Sequence, residues 1–322
     1  MKTLKKTLKL LFMMATLLIF ACDPKDDAII KHTEVDRETK IPNDIIKGTT
    51  ENDHHPPILH SDEFEEPEPL PYPINTAGAE DSPFITPDGN TLYFFFTPDV
   101  RVDPSKQLLD SVTGVWVAQK SGDIWQKPYR LWLTEPGKLA LDGAVCVQGN
   151  EMWFASAREG FAGVNMLTAE RIDGKWVNWK YSGDRLMKEI QIGEAHIHGD
   201  ELYFHSERYG GKGKYDIWKT LRNGNTWSDP VNIEAINTEE NDAMPFISSD
   251  GTELWFNRTY MGTPAIYCSK KMDGKWSSPE LIISQFAGEP TLDDEGNLYF
   301  VHHFFISDVM IEADLYIARK KK

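Results

Sequence analysis

Acidic residues recur at comparable places along this chain: Glu80 with Asp81, then Asp142, Glu194, Asp242 and Glu289, each at the head of a short apolar run. Carboxylates gathered around one concave mouth repel each other. At least one should then titrate high, or be neutralised by a cation, a sugar hydroxyl network or a basic partner. Glu194 and Glu289 lie about two residues nearer the following turn than the others, a shift that keeps a residue on the same side of a strand. Within Glu194-Ala195-His196-Ile197-His198 the same alternation sets Glu194, His196 and His198 on one face, where they could ligate a divalent metal. The competing reading is structural, with each carboxylate accepting hydrogen bonds from backbone at a strand start.

Other chemistry-bearing residues narrow the choice. Arg158, Arg208 and Arg258 each follow an aromatic run and could clamp an anionic sugar, or pair with the local acids. His302 and His303 are neighbours in a strand pattern and point to opposite faces, so they do not chelate one ion together, and His303 is left as a pocket candidate. There is no Gly-rich phosphate loop, no G-x-S-x-G and no C-x-x-C.

The elements that position these residues are repeats. Trp125, Trp176, Trp227 and Trp276 recur at spacings of 51, 51 and 49, each after a Gly-containing hairpin turn such as Asp173-Gly174-Lys175. A second series runs Leu92-Tyr93-Phe94, Met152-Trp153-Phe154, Leu202-Tyr203-Phe204, Leu254-Trp255-Phe256 and Leu298-Tyr299-Phe300. Five copies of a four-strand unit predict an all-β chain, a five-bladed β-propeller over residues 70–322 whose inner strands line a central channel. The fifth unit lacks its Trp strand. Leu70-Pro71-Tyr72-Pro73-Ile74-Asn75-Thr76 parallels Ile233-Glu234-Ala235-Ile236-Asn237-Thr238, so residues 70–76 are expected to close the ring on blade five.

Upstream, Lys2, Lys5, Lys6 and Lys9 precede an uncharged run from Leu10 to Ala21, too short for the roughly 20 residues that span a bilayer. Residues 1–21 read as a signal peptide, and Ile19-Phe20-Ala21-Cys22 resembles a lipobox, which makes Cys22 the lipidated residue and the membrane a partner through its acyl chains. Lys25-Asp26-Asp27 resembles the surface-export signal of Bacteroidetes lipoproteins. An outer-membrane protein exposed at the cell surface is expected, with a periplasm-facing anchor as the alternative. Residues 22–69 are polar and proline-rich and read as a disordered tether. Loss of the leader, with its four lysines, takes the formal charge from −16 to −20, a surface that repels phosphate backbones and argues against nucleic acid. Cys146 and Cys268 fall in different repeats, so no disulfide is expected between them.

Ser82-Pro83-Phe84-Ile85-Thr86-Pro87-Asp88-Gly89 through Phe94, and Pro245-Phe246-Ile247-Ser248-Ser249-Asp250-Gly251 through Phe256, resemble the PD40, or WD40-like TolB-type, propeller repeat. Tyr215-Asp216-Ile217-Trp218 followed by Trp227-Ser228-Asp229-Pro230 is similar to the same family's inter-strand signature. The resemblance implies the propeller and leaves function open between a binding module for a glycan, small molecule or envelope protein and an enzyme. Similarity to the five-bladed glycosidases would put Asp81 or Glu80, Asp142 and Glu194 in the roles of base, tuning acid and proton donor.

Overall fold

A computed structural model describes residues 32–307 and 309–322; Cys22 and the leader lie outside the described residues. The hydrophobic strands build five antiparallel sheets, each a blade running outward from the axis. The inner strands are Ala79–Ile85, Ala140–Gln148, Ala195–His198, Asp242–Ile247 and Ala287–Leu292 in blades one to five. Each pairs with its aromatic strand, which pairs in turn with the alternating strand of the same repeat. The five repeat phenylalanines, Phe94, Phe154, Phe204, Phe256 and Phe300, are buried at 1% exposure or less, because period-two alternation turns them all between the blades. Cys146 and Cys268 are buried free thiols.

Ring closure takes the expected route with a shifted register. Glu68–Pro69 pairs with Tyr316 and Ile317 at the outer edge of blade five, and the Leu70 amide continues the ladder to Leu315. Closure therefore falls at 68–70, and residues 71–76 turn inward. The predicted parallel between the two Ile-Asn-Thr segments holds atom for atom. The Asn75 side chain exchanges two hydrogen bonds with the Leu315 backbone, and Asn237 does the same with Ile217. Thr76 then donates from Nα and Oγ1 to Glu80, as Thr238 does to Asp242.

The tether expected over residues 22–69 is corrected over residues 32–69, which wrap the propeller. Arg37, 2% exposed, ion-pairs with Glu80 at 2.9 Å and donates to the carbonyls of Pro73 and Ile74. Lys47 bridges Glu312 and Asp314 on blade five. Asp53 accepts from buried His302 at 2.8 Å. Ile58–Leu59 then adds a strand outside blade four, and Phe64 packs edge-on against Trp255. Composition misled here because the segment is held by scattered ionic and aromatic anchors, with no periodic apolar face.

Candidate functional site

The inner strands carry a common distortion. Pairing with the aromatic strand slips between Asp81 and Phe84, Gly143 and Cys146, Ala243 and Phe246, and Gly288 and Thr291, which marks one bulge per strand. The bulge residues Ser82, Ala144, Met244 and Glu289 all have positive φ, between 45° and 52°. In blade three Gly193 and Ala195 pair with consecutive residues His205 and Phe204, so Glu194 is the extra residue there. A bulge breaks strict alternation and re-aims a side chain. The expectation that all the acids share one side is corrected for this reason, and they divide into two sets.

Glu80, Asp142 and Asp242 precede the bulge and are each 1% exposed or less. Burial pushes the Glu80 carboxyl up to about 7 even with Arg37 and Thr76 favouring its charged form. Asp142 accepts from Ser156 Oγ at 2.6 Å and from Arg158 at 2.8 Å. Asp242 is held by Thr238 and by Arg258 Nε at 2.6 Å, and burial still raises it. These three are structural carboxylates. Arg158 and Arg258 are their partners and are not free to clamp a sugar.

The second set faces the channel. The bulge residues Ser82, Ala144, Glu194, Met244 and Glu289 line a small axial cavity of about 60 Å³, room for a handful of waters. Asp81 joins Glu194 and Glu289 electrostatically from the residue before the bulge. Burial raises Glu194 to about 7, with Asp81 pushing the same way. Burial also raises Glu289, and the charges of Asp81 and Glu194 raise it further. Burial alone would lift Asp81, but His303, 3.6 Å away, outweighs it and holds that carboxyl below its ordinary value. The His303 imidazole, in spite of burial, is raised by Asp81. His303 thus answers Asp81, while Glu194 and Glu289 have no ion-pair partner among the described residues.

The metal reading is not supported by this geometry. Among the described residues no group of three His, Cys, Asp or Glu side chains is arranged to hold a metal ion. His198 Nε2 sits 3.1 Å from the Ser249 carbonyl, and His196 Nδ1 accepts from the Ile247 amide at 3.4 Å. Their strand positions are alternate, as read, but each ring is spent on the next blade. Among the described residues Arg208 has no ion pair; it stacks over Trp218 at 4.6 Å, because blade three carries Ile192 where blades two and four carry an acid. Arg37 and Asp53 escaped sequence reasoning altogether. The signal that would have found them is the lone apolar residues of their segment, such as Val35, Ile41 and Phe64, all packed on the core.

Neither a protein-family model nor a curated protein matches the chain. Among solved structures it is similar to TolB from Acinetobacter baumannii, at 12% identity and a TM-score of 0.45, over 77% of this chain and 56% of that one, so it spans little more than half of TolB. It is similar to an endo-arabinase from Bacteroides thetaiotaomicron at 14% identity and a TM-score of 0.48, over 76% and 94% of the two chains. A protein from Dyadobacter fermentans matches at 13% identity and a TM-score of 0.47, over 83% of this chain and all of its own. Likenesses at this level of identity speak to the propeller fold and to nothing finer.

Proposed function

We propose that this protein is a lipid-anchored cell-envelope propeller that binds a cationic group of a small molecule or partner protein at the mouth of its channel, without catalysis of its own. The observation that carries this reading is the charge imbalance of the second acid set. Every strand-opening carboxylate has a cation aimed at it, whereas in the second set His303 answers Asp81, and Glu194 and Glu289 have no ion-pair partner among the described residues. An ammonium or guanidinium entering the mouth relieves that repulsion and restores the charged forms of Glu194 and Glu289. The small cavity matches such a head group in size.

Calorimetric titration with the tripeptide Ala-Arg-Ala against its citrulline analogue tests the reading. The arginine peptide is expected to bind better, with Glu194→Gln and Glu289→Gln each weakening it about ten-fold while the propeller stays folded. Equal binding of the two peptides sinks it. The anchor is tested separately: Cys22→Ser should abolish acyl labelling and leave an unprocessed precursor.

A glycoside-processing reading retains one favourable observation, a pair of carboxylates with Glu194 raised and Asp81 lowered, the arrangement of a proton donor beside a charged partner. Asp142 has no place in it, being locked to Arg158. Release of p-nitrophenol from an aryl arabinofuranoside, lost in Glu194→Gln, would establish it over the binding reading.

A further inference from the structure

At the opposite end of the channel the hairpin turns of the inner strands form a second ring, joined from blade to blade by hydrogen bonds. Gln148 exchanges two with the Gly199 backbone, at 2.5 and 3.1 Å. His198 reaches the Ser249 carbonyl, Ser249 Oγ donates to Asp294 at 2.6 Å, and the Asp294 amide donates to the Pro87 carbonyl at 2.7 Å. Four seams are thereby stitched. Among the described residues no hydrogen bond joins the blade-one turn to the blade-two turn, and there the ring opens.

Within this ring lies a cavity of about 490 Å³, inside the roughly 300–1,000 Å³ typical of small-molecule sites. Its walls are apolar and aromatic: Phe84, Tyr93, Val147, Phe246, Ile247 and Leu292. His196 separates it from the carboxylate cavity, in contact with Phe246 at 4.5 Å and Phe84 at 5.9 Å. Burial drives His196 down to about 3, so the floor is neutral.

The rim holds three charges, and two are engaged. Asp88 accepts from its own turn, from Thr86 Oγ1 at 2.6 Å and the Asn90 amide at 3.0 Å, and Asp294 is held by Ser249. Arg171 is exposed on the blade-two side and has neither an ion pair nor a side-chain hydrogen bond among the described residues; its guanidinium lies over Trp176 at 5.9 Å. Trp176 in turn donates to Tyr93 Oη across the open seam at 3.3 Å. An apolar cavity with one unspent guanidinium at its lip is built for a ligand with a flat apolar body and a single anionic head.

We infer that the turn-side mouth is a second binding site, which takes an aromatic monocarboxylate with its ring between Phe84, Val147 and Phe246 and its carboxylate on Arg171. This site stands apart from the carboxylate mouth and does not depend on its function. Equilibrium dialysis of the full mature chain with 1-naphthoate, 1-naphthamide and 1-naphthylmethylamine is the test. Naphthoate should bind saturably and about ten-fold or more tighter than the amide, with the amine weakest. Arg171→Gln should bring naphthoate down to the level of the amide, and Val147→Trp should abolish binding of all three by filling the cavity. Lys180→Gln, the same charge change on the outer strand of blade two, should leave binding unaltered. Arg171 is exposed, so an unchanged melting temperature is expected for its variant. Absence of saturable naphthoate binding, parity of naphthoate and amide, or full retention in Arg171→Gln would each overturn the inference.

Discussion

Glu80, Asp142 and Asp242 stand at the head of their strands, and each is met by an arginine; Glu194 and Glu289 stand two residues later in the aligned repeats, at the bulge, beside Asp81, whose charge alone is answered by His303. A shift of two positions in a regular strand would have preserved the surroundings. With a bulge in between, it separates carboxylates that hold blades together from carboxylates that face the axis. Residue type therefore says little about an acid in this repeat, and its place relative to the bulge says much. Blade one shows how far the molecule goes to satisfy the first set, since the partner of Glu80 comes from 43 residues upstream.

The comparison breaks most visibly if a strand-opening acid loses its cation. Arg37→Met should leave Glu80 buried without its partner and lower stability by about 3–5 kcal/mol in urea unfolding. A loss under about 1 kcal/mol would mean that Thr76 alone suffices. Arg158→Ala should cost somewhat less, about 2–3 kcal/mol by the same measurement, since Ser156 Oγ stays on Asp142.

The channel set should answer to pH. Glu194 has its folded value raised from 4.5 to about 7, so the folded state binds the proton more tightly than the unfolded chain. Its contribution to stability is full below the unfolded value and is lost as pH rises through the folded one. Glu194→Gln removes that loss. Wild type and variant should melt together near pH 4, and the variant should be the more stable at pH 8 by on the order of 1–2 kcal/mol, allowing for partial solvent exposure. The opposite order at pH 8 would show that Glu194 is held charged by a partner.

The smallest effect is expected where blade three has no acid to offer. Arg208→Ala removes stacking on Trp218 and no ion pair, so a change of about 0.5–1 kcal/mol should be read by thermal melting, well below that of Arg158→Ala.

The blades were legible in the sequence because their signal is redundant. Five copies of an aromatic strand and four Trp hairpins report the same period, and the Ile-Asn-Thr parallel placed ring closure to within a few residues. The bulges were not legible. They put Ala144, Met244 and Glu289 at positive φ, a conformation that glycine usually marks and that these residues do not advertise. The candidate site was accordingly half visible: all the acids were found, while the division between them, and the cancellation of Arg158 and Arg258 by Asp142 and Asp242, needed the register. The wrap of residues 32–69 was hidden by its composition, since a strap needs only a few anchors and leaves no periodicity.

That strap also sets a load path. A pull applied at residue 32 meets the contact of His32 with the Thr134 carbonyl and the Asp36–Lys127 pair, then Arg37, then Lys47 and Asp53, then the short strand at 58–59, and only afterwards the closing pair at 68–69. The ionic anchors would have to rupture in series before tension falls on the seam of the ring. The molecule carries a shock absorber ahead of its clasp, so a tug that frees Arg37 or Lys47 spends its work on the strap and leaves the five blades shut.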